Sequence, residues 1–537
     1  MSRSAASGGR GSPAVAPYAW YVLGVLFLVY IVSVVDRQIL SILAHDIKRS
    51  LEISDAQIGF LYGTAFAVFY ALFGIPLGWL ADRWHRVRLI ALGLTLWSGM
   101  TALSGLAGSF GQLAFARAGV GIGEASASPA AFSLLADYFP RERRAFALAI
   151  YSAGMLVGLS LSLPIGGTIA SAWTAHYGTS PPLGLAGWQV AFLAVGLPGL
   201  LLAGWVWTLC EPVRGAIDGT PATPATHGLW REFAREVGAI LPPFTLWSAA
   251  RVPGGLRSNV ALLIAIAIVA EVLVWITGDQ LQWITLAVGV YAAGSWVQRL
   301  RATDPPTFTL LFGTRAVVLV LLSCGSLAFV GYAIAFWIPQ YAIRTFGIAA
   351  DVAGWKIGFS GGIGAAVGCL LGGRLSDAWK ERAPAGRMYV CMLSLCLPPP
   401  LVYVAITADD VGKIYLLYPI ALMCASLWTG SVAAMIQDCV LPRMRGVAGA
   451  TYLLSSALLG FALSPYLVGK ISVAPGSLRT GVMSVFVVVP AGLLVMWAAS
   501  RGLPSAERTK AVRAAQVDAS LSGLDDPRRD GTSATQQ

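Results

Sequence analysis

Residues 78–88 read Gly78-Trp79-Leu80-Ala81-Asp82-Arg83-Trp84-His85-Arg86-Val87-Arg88, between two long apolar runs. A shorter echo, Gly372-Gly373-Arg374-Leu375-Ser376-Asp377, is followed by Lys380, Arg382 and Arg387 at the matching place among the apolar runs of the second half. An acid closing a helix and followed by a basic turn can clamp neighbouring helix ends through charge-assisted hydrogen bonds. One copy reads equally well as simple anchoring on the positive side of a membrane. Two copies at equivalent positions point to a chain built from two similar halves.

The runs around these segments set the class. Of the 537 residues, 56% are hydrophobic and only 12% charged, against about 25% charged in soluble domains. A bilayer core takes about 20 apolar residues per helix. Six such runs cover roughly 18–43, 56–81, 88–107, 111–135, 145–173 and 187–210; six more cover roughly 317–346, 353–377, 387–407, 413–440, 446–472 and 480–500. The expected fold is therefore all-α and membrane-embedded. Residues 18–212 and 317–500 each form a six-helix bundle, and 213–316 connect them. Residues 1–17 and 501–537 read as disordered tails, and no cleavable signal is read before the first run. The connection holds two further apolar stretches, 259–277 and 281–297, split by Thr277-Gly278-Asp279-Gln280. They are expected to form an extra hairpin that crosses the membrane and returns, or else a pair of helices lying on its surface or against the bundles.

The net charge of +11 comes from short clusters between spans and not from one face, which argues against nucleic acid. Arg83, Arg86 and Arg88, Arg141–Arg144, Lys380–Arg387 and Arg443–Arg445 all fall on one side of the sheet of spans. By the positive-inside rule that side, with both termini, is cytoplasmic. Seven cysteines and four histidines show no CxxC pair and no clustering, so no disulfide framework, metal site or cofactor is expected. Gly358-Phe359-Ser360-Gly361-Gly362 matches the hydrolase G-x-S-x-G letter for letter, but it lies inside a span and continues as a ladder of small residues that suits helix packing. Gly119–Gly123 lacks the preceding strand of a phosphate loop, and no Walker sequence occurs. An intramembrane enzyme would need a buried nucleophile–base or metal constellation, and none is present.

The segment G-x-L-A-D-R-x-x-R-x-R resembles the signature loop of the major facilitator superfamily, with His85 replacing the usual glycine. Gly154-x-x-x-Gly158 through Pro164-x-Gly166-Gly167 is similar to that family's close-packing motif in span five. Val35-Asp36-Arg37, Ile53-Ser54-Asp55-x-Gln57-x-Gly59 and Arg117-x-Gly119-Val120-Gly121-x-Gly123-Glu124-Ala125-Ser126 resemble the spinster group of lysolipid and sphingolipid transporters, in its bacterial form. The resemblance implies a transporter in a bacterial inner membrane, working by alternating access, with a lysophospholipid or sphingosine-phosphate-like substrate. A small organic anion or a drug is the alternative.

An ionised side chain at bilayer depth costs roughly 2.5–3.5 kcal/mol, so it normally faces a cavity or a partner. The first half has four: Asp36, Arg37, Arg117 and Glu124. Arg117 and Glu124 are two turns apart on one helix face, and Asp36 lies at the depth of Arg117. Arg117 is expected to neutralise Asp36 and Glu124 in alternation, a proton-coupling device; the other reading is a static salt bridge tying spans one and four. Arg37, Tyr332, Trp337, Tyr341 and Trp428 are candidate substrate contacts, because aromatic surface suits an acyl chain and a guanidinium suits a phosphate; packing is the competing role for each aromatic. Asp82, Arg83, Arg86, Asp137 and Asp377 are candidate gate charges. Protons, a lipid-like solute and membrane lipids are the expected partners of a monomer.

Overall fold

The computed structural model describes residues 16–178, 180–215, 217, 228–251, 254–473 and 477–522. All regular structure among them is helical. Twelve helices are long and apolar enough to cross a membrane. They are not quite the twelve expected. Span four, broken at Ala125–Ser126 into Phe110–Glu124 and Ala127–Tyr138, is absent from that set because its buried charges and small residues lower its hydropathy. The first helix of the connection, Gly255–Thr277, takes the twelfth place.

In the first half, span one (Pro17–Leu51) packs on span five (Arg141–Tyr177), and span three (Arg86–Ser104) on span six (Gly187–Trp207) and span four. In the second half, span seven (Arg315–Phe346) packs on the last helix, and span eight (Ala350–Arg382) on span ten (Val411–Asp438). Helix ends follow local chemistry. Pro17 starts span one with a preset φ, and Glu52 ends it in the left-handed region. Span two (Asp55–Ala81) opens on a capping box in which Ser54 and Gln57 satisfy each other's backbone N–H, with Asp55 against the positive end of the helix dipole.

The last helix corrects one expectation. It runs from Val488 to Ser522, so residues 501–522 are helical and not a disordered tail; residues 523–537 and 1–15 lie outside the described ones. Leu503, Ala506 and Ala514 form a buried stripe on this extension, and Glu507 pairs with Lys380. An amphipathic stripe outside the hydrocarbon core escapes a search for continuous apolar runs.

Two pairs of spans knit the halves together: two with eleven (Pro442–Val473), and five with eight. Glycine makes both approaches possible. A Cβ on Gly59 would lie 2.3 Å from Pro465 O, and one on Gly167 would lie 2.3 Å from Ala350 O. These contacts sit in the half of the molecule away from the described termini, called the distal half below. There the Gln340 amide donates to Ser41 O and, at 3.3 Å, to Ile42 O, while Asp55 of the first half accepts from Arg344 of the second at 2.8 Å. The two bundles are closed against each other distally, and a cavity opens between them on the termini side of this seal.

Gly167→Ala drives a methyl into a backbone carbonyl and is expected to cost about 1–3 kcal/mol, lowering the thermal midpoint in detergent. Gly24→Ala meets nothing within 4 Å and is expected to leave the midpoint unchanged.

Candidate functional site

The cavity has a volume of about 330 Å³. Its walls differ chemically. The first bundle contributes Ser33, Arg37, Gln38, Tyr70, Glu124 and Ser128; the second contributes only uncharged groups, among them Tyr332, Leu422, Ala425, Trp428 and Tyr452. A wall bearing two charges therefore faces an uncharged one, rich in aromatic rings, across a space large enough for a small organic solute; hydroxyls and apolar side chains occur on both.

Behind the charged wall sits a four-membered cluster. Asp36 and Arg117 are fully buried and Glu124 nearly so. Arg117 does not pair with either carboxylate in this conformation. It donates to three main-chain carbonyls instead: Asp36 O and Arg37 O at 3.2 Å, and Leu61 O at 3.4 Å. It thus ties span four to spans one and two. The cation facing Glu124 is Arg37, at 4.0 Å. Both guanidinium groups lie over one ring, Phe66, at 5.4 Å for Arg37 and 5.7 Å for Arg117. Asp36 Oδ2 accepts from Ser98 at 3.4 Å, while Asp36 Oδ1 and Glu124 Oε1 have no hydrogen-bond partner. The expected residues do converge, but the pairing differs from the expected alternation around Arg117. Spacing along the sequence shows that groups share a face; it cannot show that carbonyls, at a helix irregularity or a close crossing, compete for the same guanidinium.

Of the candidate substrate contacts, the structure brings Arg37, Tyr332 and Trp428 to the cavity. Trp337 and Tyr341 are elsewhere. The Trp337 indole donates to Pro465 O at 3.0 Å and the Tyr341 hydroxyl to Ile406 O at 2.8 Å, so each holds a neighbouring helix. They share a face with each other, but it is turned about half a turn from the face of Ala328, Gly331, Tyr332 and Ala335 that lines the cavity, and it is buried against neighbouring helices.

The gate candidates resolve into two matching clamps. Arg86, fully buried, pairs with Asp137 and bonds Glu211 at 2.7 Å. Arg387 pairs with Asp438 and, at 3.1 Å, with Asp377. Arg86 and Asp137 are 51 residues apart, and so are Arg387 and Asp438. Each clamp closes the termini end of its own bundle. Arg83 lies over its neighbour Trp79 at 4.4 Å, and Asp82 takes part through its carbonyl, which accepts from Arg214. Sequence reading missed Glu211 and Arg214, which lie beyond the apolar runs, and the distal seal of Asp55, Arg344, Gln340 and Ser472. Asp55 sits in the first turn of span two and pairs locally with Lys48 at 2.9 Å, whereas its partners in the second bundle are 289 and 417 residues away.

Residues 26–465 match the Major Facilitator Superfamily. The chain belongs to that family. It is an integral, multi-pass membrane transporter and not an enzyme. It is 29% identical over 455 residues to an MFS-type efflux pump of Mycolicibacterium smegmatis, covering 84% of each chain. It is 26% identical over 465 residues to Protein spinster of Drosophila melanogaster, covering 85% of this chain and 62% of that one. Among solved structures it resembles a bacterial homologue of the human lysosomal transporter spinster in an inward-facing, unoccupied conformation, with 25% identity, a TM-score of 0.65, and coverage of 94% of this chain and 99% of the other. The likeness to a D-xylose–proton symporter, at 16% identity and a TM-score of 0.59, speaks for the fold alone.

Arg86→Gln in this transporter leaves Asp137 and Glu211 without their cation. The expected cost is roughly 3–5 kcal/mol, read as loss of monodisperse protein or a fall in thermal midpoint. Arg83→Gln, whose side chain meets only its own helix, is expected to fall within about 0.5 kcal/mol of the parent.

Proposed function

We propose that this protein is a proton-coupled secondary transporter of an amphipathic, lipid-like solute, a lysophospholipid or a sphingosine-phosphate-like molecule. It works by alternating access in a bacterial cytoplasmic membrane, with both termini and the two clamps in the cytoplasm and the 255–303 hairpin crossing the bilayer. The observation that carries the reading is the asymmetry of the cavity, ionic on the first bundle and uncharged on the second. A single-chain amphiphile needs such a pair of walls: Arg37 for an anionic headgroup, and Tyr332, Trp428 and Tyr452 with their aliphatic neighbours for the chain. Similarity to spinster proteins agrees with the group that the motifs of spans one, two and four resemble, whose substrates that resemblance implies to be lysolipids or sphingolipids.

Coupling follows from Arg37 having one guanidinium and two suitors. In the structure it faces Glu124. A phosphate headgroup competes for it, and an isolated buried carboxylate favours its neutral form. Headgroup binding then goes with proton uptake by Glu124 from water, and substrate release with return of the proton as Arg37 swings back. Asp36, with one oxygen unpartnered, is the second acceptor in this scheme. Arg117 is the fixed member that holds spans one, two and four in register.

A second reading, transport of a drug or small organic anion, draws support from the likeness to the efflux pump, which extends over 84% of both chains. Purified protein in liposomes under an imposed pH gradient separates the two. Labelled lysophospholipid is expected to redistribute across the bilayer, and polar organic acids of equal charge are not; the opposite ranking rejects the lipid reading. Asp36→Asn and Glu124→Gln are each expected to leave folded protein but to cut the gradient-driven component at least tenfold. An unchanged pH response in both would remove the carboxylates from coupling.

A further inference from the structure

The second hairpin helix, Gln280–Thr303, lies along the seam where span two of the first bundle meets span eleven of the second. At its distal end it is anchored to the second bundle. Asp279 pairs with Lys470 at 2.8 Å and accepts from the Tyr466 hydroxyl at 2.8 Å, and Trp283 stands edge-on to the Tyr466 ring at 5.6 Å. At its other end it is anchored to the first bundle. Arg299 grips Glu236 with two hydrogen bonds, at 2.7 and 3.1 Å. Glu236 belongs to the helix Leu229–Gly238, whose Phe233 and Trp230 pack on Trp79 and Trp84 at the end of span two, at 6.5 and 5.2 Å between rings.

Between the anchors the helix touches both bundles at once. A Cβ on Gly289 would meet Val68 of span two at 3.0 Å and Leu458 of span eleven at 3.1 Å. The Gln282 side-chain amide lies 2.8 Å from the Thr64 hydroxyl, which lies 2.7 Å from Ala462 O. Thr64 has one proton to give. With Ala462 O taking it, the Gln282 amide turns its NH₂ toward Thr64, so that hydrogen bonds run from hairpin to span two to span eleven. This relay falls where both spans are irregular. Span two breaks at Gly63 (φ −90°, ψ −83°), and span eleven is wound as a π-helix over Ser456–Phe461. Such places give way first when a helix bends.

We infer that the helix Gln280–Thr303 is a strut across this seam that holds the two bundles in the distally closed arrangement and sets how readily they part. Opening the distal end separates span two from span eleven. A rod tied to the second bundle at one end and to the first at the other must then release either the Gln282–Thr64 contact or the Asp279 anchor. The inference concerns the rocking of the bundles and does not depend on what is carried.

The test is the distance between spin labels at Glu52, in the distal turn after span one, and Thr345, in the last turn of span seven, both exposed, in a background where the exposed Cys210 and Cys396 are Ser. Measured by pulsed electron spin resonance in nanodiscs, Asp279→Asn and Gln282→Ala are each expected to raise the ratio of long to short distances roughly threefold, the size of one partly exposed polar contact. The exchange Asp279→Lys with Lys470→Asp is expected to restore the parent ratio. Unchanged distributions in both single variants would overturn the inference. So would a shift in Asp279→Asn that the exchange fails to reverse, since that assigns the effect to local damage and not to the anchor.

Discussion

Placing four ionisable groups at bilayer depth is the constraint on which the rest of this molecule depends. A charge left in hydrocarbon costs kilocalories, so Asp36, Arg37, Arg117 and Glu124 can exist only where helices approach closely enough to supply partners. The first bundle supplies them unevenly. Arg117 is saturated with backbone carbonyls and stacked near Phe66, and it behaves as a structural pin. Arg37 and Glu124 stand at the cavity with a longer, weaker contact. The same economy of partners that stabilises one cation leaves two carboxylate oxygens open. Those open positions make the site chemically responsive.

Rigid halves make such a local change consequential. The clamps of Arg86 and Arg387, with identical spacing to their acids, fasten each bundle to itself at the termini end. Contacts between bundles gather distally, where glycines let backbones touch and where Asp55 and Gln340 reach across. Tight packing within bodies and a polar, glycine-lined face between them is the arrangement expected when two domains rock around a central site. The irregular turns at Gly63 and in spans eight and eleven lie along the faces where the bundles meet.

Much of this was legible in the residues. Apolar runs of membrane length marked the spans, the doubled acid–basic motif marked the two halves and led to Arg86 and Asp377, and Asp137 stood out as the acid closing span four. Buried charge on spans one and four marked the cluster, because insertion cost makes such residues conspicuous. What stayed hidden had physical reasons. Trp337 and Tyr341 lie on the face of span seven opposite its cavity-lining residues, and the sequence does not show which face of a span buried on most sides will line the cavity. The 501–522 helix is stabilised by a buried stripe and by Lys380, a partner far away in sequence. The partner of Glu124 depended on whether carbonyls or carboxylates capture Arg117, and that is settled only when three helices are placed together.

The central claim is that an anionic headgroup and Glu124 compete for Arg37, so that binding and protonation are linked. Proton exchange on ligand addition measures this most directly. Purified transporter in weakly buffered detergent near neutral pH, with a pH-sensitive dye, is titrated with lysophospholipid. The account predicts net proton uptake approaching one per protein at saturation, abolished in Glu124→Gln while the lipid still binds. Saturable binding with no proton movement in the parent protein would contradict it.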